Sequence, residues 1–421
     1  MLELRFIREN ASLVRKDLEK RGGDRLPLLD ELLEKDALYR DALVDLEKLR
    51  ADRNTVSRVV NELKKAGRDA SAQLAEASLI PQKIKKTEEQ VNVLQERVNF
   101  LLKRLPNLLH ASVPVGKGEE DNVVVAEWGT RKKDAVSHVD LLEKMGLCDL
   151  ERASKISGAR FYYLKNELVL LDLALQRFAL DFLAGKGFAL LMPPFMMRRE
   201  PYEGVTDVTD FEDVMYKVEN EDLYLIATSE HPLMAMRSGE VIAADELPLK
   251  YAGVSPCFRK EAGSHGKDTK GIFRVHQFNK VEQVILSKPG DSWALHEELL
   301  KNSEDLAKML EIPYQVVNVC TGDIGTVAAK KYDLNAWMPA QKAYRELASC
   351  SNCTAYQAVR LNIKSGKYGG AKEYVHSLNS TAIATTRTIV ALIENHQEDG
   401  VIKMPKALHK YLPFKEIEMK K

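Results

Sequence analysis

From Leu26 to Lys65 the chain has no glycine and, after Pro27, no proline, and its apolar residues return every seven positions. Leu32, Tyr39, Leu46 and Val60 form one row, and Ala42, Leu49, Val56 and Leu63 form the other. Arg53 interrupts the first row. A seven-residue repeat is the pattern of helices that close on a narrow apolar seam. The segment Ala66 to Ala70 breaks it, and a second series follows, with Ile84, Val91, Val98 and Leu105 in one row and Ile80, Leu94 and Leu101 in the other. Pro81 is expected to kink the start of that second helix. Two long helices with a short break predict an antiparallel hairpin over about residues 26 to 105, about 60 Å long at the α-helical rise. Ahead of it, residues 5 to 21 read as one short amphipathic helix stopped by Gly22 and Gly23.

Beyond residue 110 the pattern changes. Residues 111 to 135 carry glycines, acids and a proline and read as a linker. Leu164 to Leu183 predicts a long apolar helix, stopped by Gly185 to Gly187. Phe188 to Met197 then reads as a buried strand whose proline pair, Pro193 and Pro194, suits an edge or an interface. Helix and strand signals mix through residues 136 to 421, which predicts an α+β domain on an antiparallel sheet with flanking helices.

The stretch Val254 to Glu282 is the richest in chemistry. Its second half alternates with a period of two, so Arg274, His276, Phe278, Lys280 and Glu282 share one face while Phe273, Val275 and Val281 take the other. Cys257, Arg259 and Glu261 share a face on the first half, and Ala262 to Gly271, with three glycines, provide an antiparallel return. Such a surface offers guanidiniums for phosphate or carboxylate oxygens, a ring for a base and a carboxylate for an ammonium. The competing reading is an exposed sheet face with surface ion pairs.

Composition narrows the class. At 421 residues two domains, or one domain with an extension, are expected. The 62 basic residues balance 62 acidic ones, so only local charge can argue for nucleic acid. It does so near the predicted hairpin turn, where Lys48 to Arg68 hold seven basic residues against Asp52 and Glu62, with Lys83, Lys85 and Lys86 following. A basic tip on a rigid arm suits a phosphate backbone; dimerisation through the coiled coil and a merely solvated face are the alternatives. Five cysteines in a chain of this size suit a reducing cytosol, and no stretch reaches a membrane span, so a cytoplasmic protein is expected.

Several motifs fail. There is no GxxxxGK[ST] and no GxGxxG after a strand, HEELL at His296 lacks a second histidine, and Cys350 to Cys353 is a lone CxxC, so no zinc is expected. Three stretches carry polar groups able to converge: Tyr224 to Glu230, Tyr344 to Cys353 and Ser377 to Arg387. Glu346 and Ser349 offer hard oxygens of the kind Mg²⁺ accepts, and Arg387 would stand at a helix N-terminus, which favours anions.

FRKEAGSHGKDTKGIFRVHQFNKVE, LIATSE, YRELASCSNC and LNSTAIATTR resemble seryl-tRNA synthetases, class II aminoacyl-tRNA synthetases, over nearly the whole chain including the arm. The wording is closer to archaeal and eukaryotic cytosolic members, of the common form without a catalytic zinc. The resemblance implies an enzyme that uses ATP and Mg²⁺ to activate L-serine to seryl-adenylate and then transfers it to tRNA(Ser), with tRNA(Sec) a further candidate acceptor. It places motif 1 at Gly187 to Pro194, implying a homodimer, motif 2 at Phe258 to Glu282 and motif 3 at Ser377 to Arg387. Arg259 would hold the α-phosphate and the serine carboxylate, and Arg387 the γ-phosphate. Lys260, Glu261 and Arg274 would border the nucleotide, Val275 would line its site by its backbone, Phe278 would stack on adenine, and Glu346, Leu347, Ala348 and Ser349 would serve ATP, with Glu346 and Ser349 toward Mg²⁺. Thr228, Ser229, Glu230, Glu282, Asn379 and Thr381 would surround serine, and the 262–271 loop would meet the tRNA acceptor end. Many members have proline before the motif 3 arginine, where this chain has Thr386, a loss of rigidity without loss of a charge or donor. An amino acid ligase charging a carrier protein and a non-catalytic RNA-binding paralogue are the rival readings.

Overall fold

The computed structural model describes residues 1–207, 211–261, 270–366, 370–398 and 400–418. It forms two compact units, Leu2–Leu105 and Pro106–Lys421 with Met1.

In the first unit, α1 (Leu26–Lys65) and α2 (Ser71–Arg104) are the two long helices. The heptad rows become a seam: Ala42, Leu46, Val56 and Val60 are buried with Ile80, Ile84 and Val91, flanked by Tyr39, Leu49 and Leu94. Arg53, the break in the row, is exposed. Cross-helix ion pairs confirm the antiparallel sense. Arg97 grips Glu31 with two bonds of 2.6 and 2.7 Å, and Arg50 reaches Glu88 at 2.8 Å. The turn depends on Gly67, whose φ of +68° is left-handed and cheap only for glycine. Because α2 starts at Ser71, Pro81 lies in its interior rather than at its start, on the exposed side beside buried Ile80. The expected single helix of residues 5 to 21 is two, Leu4–Glu9 and Ala11–Lys20, broken at Asn10, whose amide donates to the Phe6 carbonyl at 3.1 Å.

The second unit is built on an eight-stranded sheet. Its strands are β1 (Val123–Trp128), β2 (Ala189–Leu191), β3 (Leu249–Phe258), β4 (Gln277–Ser287), β5 (Tyr314–Asn318), β6 (Lys330–Met338), β7 (Ala343–Asn352) and β8 (His376–Ala384). The spatial order is β1-β5-β6-β7-β8-β4-β3-β2, antiparallel except for the β2–β3 pair. Helices α3 (Glu167–Gly185), α5 (Ser292–Met309) and α6 (Thr385–Asn395) cover one face, with Leu175, Phe178, Ile285, Leu299, Leu306 and Ile389 in the core between. The short helix α4 (Glu230–Ala235) precedes β3 in the chain. Polar Gln283 also faces the helices, and its amide is satisfied there by Ser303 at 3.2 Å and Asn302 at 2.9 Å. The opposite face is left for chemistry.

Two expectations shift. The stretch read as a linker contains β1, which closes the sheet edge against β5, and Asn107 ahead of it is pinned to the Cys353 carbonyl at 2.8 Å. Its run of valines lies in a strand exposed along its length, so it lacks the alternation that announces a half-buried strand. Phe188 to Met197 contributes one strand to this sheet, β2, at the other edge and largely exposed, before Pro193 and Pro194, which supply no backbone donors, and Met196–Met197 beyond them pair separately with Tyr224–Leu225. Among the described residues no helix is long and apolar enough to cross a membrane.

Candidate active site

The hairpin forms as the alternation predicts: β3 and β4 pair from Leu249–Leu286 to Phe258–Gln277, and one further bond joins Arg259 N–H to the His276 carbonyl at 2.9 Å. Arg274 and His276 fall outside the regular strand, which begins at Gln277. His276 is held by a 2.8 Å contact of Nδ1 with the Arg259 carbonyl, and Arg274 donates to Glu261 at 3.0 Å. Glu261 sits in a left-handed backbone conformation, φ +50°, where the chain leaves the strand. Residues 262–269 lie outside the described residues, so the loop expected to meet tRNA is not described beyond Lys270 and Gly271.

Register places the candidate residues together. Glu282 lies opposite Thr381 on β8 and opposite Gly253 on β3, and the Thr381 hydroxyl donates to the Glu282 carboxylate at 3.2 Å. Lys280, two residues along the same face, reaches that carboxylate at 2.6 Å. Gly253 has to lack a side chain, because a Cβ there would stand 2.8 Å from Ser229 Oγ and 2.5 Å from Leu233. That close approach seats the start of α4 on the sheet, with the Ser229 hydroxyl donating to the Gly253 carbonyl at 3.2 Å. Glu230 follows, its carboxylate accepting from Asn379 and from Gln357, each at 2.9 Å, and its N–H donating to Thr228 Oγ1 at 3.1 Å. Burial first, and the charge of Glu282 second, push the Glu230 carboxyl up to about 7. Burial also pushes the neighbouring His231 down to about 3, so that imidazole is neutral.

Arg259 lies 5.3 Å from the centre of the Phe278 ring and donates to the Ala227 carbonyl at 3.4 Å, the end of the Thr228–Glu230 segment. A guanidinium, an aromatic ring and a carboxylate pocket therefore meet.

Glu346 and Ser349 are three apart, a spacing that puts residues of a regular strand on opposite faces. Between β6 and β7, however, Asn335 pairs with Glu346 and Leu334 with Ala348, so Leu347 is an inserted bulge. The bulge turns Glu346 and Ser349 to the same face, which also carries Asp333, opposite Ser349, and Lys331, opposite Ser351. Arg387, in the first turn of α6, donates to Glu346 Oε1 at 3.0 Å and to its carbonyl at 3.1 Å. Partial burial works against ionisation of Glu346, but the charges of Arg387, Lys331 and Arg259 outweigh it and hold the carboxyl well below the usual carboxylate range. Lys331, Asp333, Glu346 and Arg387 line a cleft of about 510 Å³ together with Arg274, Arg345 and Phe273. Phe273 is a platform for two guanidiniums, Arg345 at 4.8 Å and Arg387 at 5.3 Å from its centre.

Not every candidate offers its side chain. Val275, Leu347 and Ala348 are buried in the core, whereas Lys260, whose N–H donates to the Val214 carbonyl at 3.1 Å, is exposed. Both thiols of the CxxC are buried, which pushes each far up and keeps them protonated; among the described residues no group of three or more His, Cys, Asp or Glu could hold a metal ion. Lys331, Asp333 and Gln357 escaped the sequence reading, which puts Lys280 on the chemical face without a role. The alternation in KKYDLNAWM did signal Lys331, Asp333 and Asn335 on one face; Gln357 gave no signal, since only the fold brings it to Glu230.

Residues 1–109 match the model of the seryl-tRNA synthetase N-terminal domain, and residues 215–396 that of the class II tRNA synthetase core domain for G, H, P, S and T. A serine–tRNA ligase of Methanocella arvoryzae is 53% identical over 419 residues, 98% of this chain and 99% of that one. The crystal structure of seryl-tRNA synthetase from Pyrococcus horikoshii complexed with ATP superposes with a TM-score of 0.95 at 50% identity, covering all of both chains. That of a cytoplasmic serine–tRNA ligase from Naegleria fowleri in complex with AMP gives 0.90 at 34% identity, over 100% of this chain and 99% of that one. The chain belongs to the seryl-tRNA synthetase family of class II aminoacyl-tRNA synthetases.

Proposed function

We propose that the protein is an ATP-dependent serine–tRNA ligase that makes seryl-adenylate and passes the seryl group to tRNA(Ser). The observation that carries this reading is the single sheet face on which Arg259, Phe278, Glu282 and Thr381 meet Glu230, beside the cleft of Glu346 and Arg387.

Serine's carboxylate attacks the α-phosphorus of ATP, the bond to pyrophosphate breaks, and the acyl phosphate stays in the site. The terminal ribose hydroxyl of tRNA then attacks the carbonyl, and AMP leaves. No protein nucleophile is required, so catalysis rests on alignment and positive charge. Arg259 holds the serine carboxylate against the α-phosphate, Phe278 stacks the base, and Arg387 takes the γ-phosphate. Glu346 and Ser349, turned to one face by the bulge, fit Mg²⁺ as hard oxygens; the ion supplies charge neutralisation on the phosphates. Glu230 receives the ammonium, and Glu282 with Thr381 the hydroxyl. Alanine leaves those buried groups unpaired and is rejected on that account.

The tRNA body is taken by the basic residues near the turn of α1 and α2, among them exposed Arg53, Arg58, Lys64, Lys65, Arg68, Lys83, Lys85 and Lys86, and its acceptor end by the 262–271 loop. A homodimer through motif 1 is supported by apolar exposure around β2. Leu190 is 46% and Met192 73% exposed, with Val169, Leu170 and Leu173 of α3 also bare.

Arg259→Ala tests the assignment. It abolishes serine-dependent ATP–pyrophosphate exchange, a fall of about a thousandfold or more, with a melting temperature near that of the parent. Near-normal exchange in this variant rejects the assignment.

A further inference from the structure

The cleft of Glu346 and Arg387 has a floor to which no role has been given. Lys331 and Asp333 stand there on β6, on the face that the β7 bulge shares with Glu346 and Ser349. Among the described residues the cleft is lined by four cationic side chains, Arg274, Lys331, Arg345 and Arg387, and four acidic ones, Glu119, Asp323, Asp333 and Glu346. Three of the cations are engaged through well-made bonds: Arg274 with Glu261 at 3.0 Å, Arg387 with Glu346 at 3.0 Å, and Arg345 with Gln341 at 2.8 Å. Lys331 is different. Its ammonium stands 3.4 Å from Asp333 Oδ2, a loose ion pair, and its side chain is 20% exposed.

Asp333 is correspondingly ill-served. It is 6% exposed, and its Oδ1 is buried without a hydrogen-bond partner. A buried carboxylate oxygen left bare is costly and is tolerated where a ligand or its water completes the shell. Burial opposes the charge of Lys331, but Asp333, Glu346 and Asp323 outweigh it and hold the ammonium above the ordinary lysine value. The cleft thus keeps a permanent cation whose donors are largely unspent.

We propose that Lys331 is a further substrate-contacting residue, a cation for the pyrophosphate end of ATP, held at the cleft floor by Asp333. The proposal rests on the adenylate-forming reading above. When a phosphate takes Arg387, Glu346 loses its partner and would be free to hold Mg²⁺. One arginine cannot answer the charge of a departing pyrophosphate, and among the described residues Lys331 is the cleft cation that needs to break no strong bond in order to help. A compact ammonium suits that site, since it follows the oxygens as the bond to the α-phosphorus lengthens.

The experiment uses the full chain as Lys331→Met, Lys331→Arg and the double variant Lys331→Met/Asp333→Asn, which leaves no unpaired carboxylate behind. Calorimetric titration with magnesium pyrophosphate alone is paired with exchange kinetics in which KM is measured separately for ATP, pyrophosphate and serine. Lys331→Met is expected to weaken pyrophosphate about ten- to a hundredfold, the worth of one charged hydrogen bond, and to raise KM for ATP while KM for serine stays put. Lys331→Arg is expected to restore most of the affinity, and the double variant to remain as weak as Lys331→Met. Unchanged pyrophosphate affinity in Lys331→Met overturns the proposal. So does its recovery in the double variant, which would make the lysine only the counter-charge of Asp333. Exchange by the parent protein that ignores serine would reject the serine assignment, while the pyrophosphate titration still reads Lys331 by itself.

Discussion

The helical hairpin and the sheet bring distant residues together by opposite means. In the hairpin every contact follows from a local repeat. Each residue is placed by its own turn of helix, and Glu31 meets Arg97 because two uniform rods lie side by side. In the sheet nothing is placed until register is set. Glu282 meets Thr381, 99 residues away, only because β4 and β8 pair at one alignment, and a slip of one strand by one residue would turn its member of the pair to the other face. Regularity suits a structure that presents charge to a repeating phosphate backbone, and irregularity suits one that must aim unlike groups at a single small molecule.

The sharpest way to break this division is to remove one region. Replacing residues 26–105 with a short flexible linker should leave serine-dependent pyrophosphate exchange within about twofold, because activation uses small molecules only. Charging of tRNA should fall about a thousandfold, the scale on which several lost phosphate contacts act. Exchange and charging measured side by side decide it; equal loss of both would make the hairpin part of the catalytic fold.

The same contrast sets what the sequence disclosed. Heptads in Leu32 to Leu105 gave the hairpin, its sense and its seam because the signal is redundant: Arg53 could interrupt it without hiding it. The β3–β4 alternation gave Arg259, Phe278 and Glu282 on one face for a similar reason. The bulge at Leu347 could not be read, since an inserted residue is visible only against its partner strand. Three apart, Glu346 and Ser349 would take opposite faces of a regular strand, so their oxygen chemistry pointed to a shared ion while the strand pattern did not. Strand β1 hid for a different reason: an exposed edge strand has no polar and apolar sides to alternate.

A smaller effect tests the site without destroying it. Glu230 is raised to about 7 by burial and by Glu282. The native state thus holds a proton that the unfolded chain releases near the ordinary glutamate value, so this group's contribution to stability is present at low pH and is lost as pH rises through about 7. Serine's ammonium favours the carboxylate, so binding expels that proton below pH 7. Serine affinity should rise by up to about tenfold per pH unit as pH climbs toward 7 and level off above it. Calorimetry in two buffers of different ionisation enthalpy measures the released proton, and Glu230→Gln should abolish the release. Release that persists in that variant would move the titrating group elsewhere in the site.

The smallest effect compares the two regions at equal chemistry. Val56 in the helical seam and Val281 between β4 and its covering helices are both buried, and either valine cut to alanine loses about 1–2 kcal/mol of packing. A seam one residue deep lets the neighbouring turns relax around a cavity, so Val56→Ala should lower hairpin stability and leave exchange kinetics untouched. Val281 stands between Lys280 and Glu282, whose carboxylate is held within hydrogen-bond distance of Thr381 across the strand pair. A cavity beneath them lets β4 shift by a fraction of an ångström, and an alignment-driven reaction is sensitive on that scale. Val281→Ala should therefore raise KM for serine several-fold at a comparable loss of stability, and melting curves with serine kinetics on both variants read the difference. Equal kinetic penalties from the two cavities would mean that register and repeat are not separate devices in this molecule.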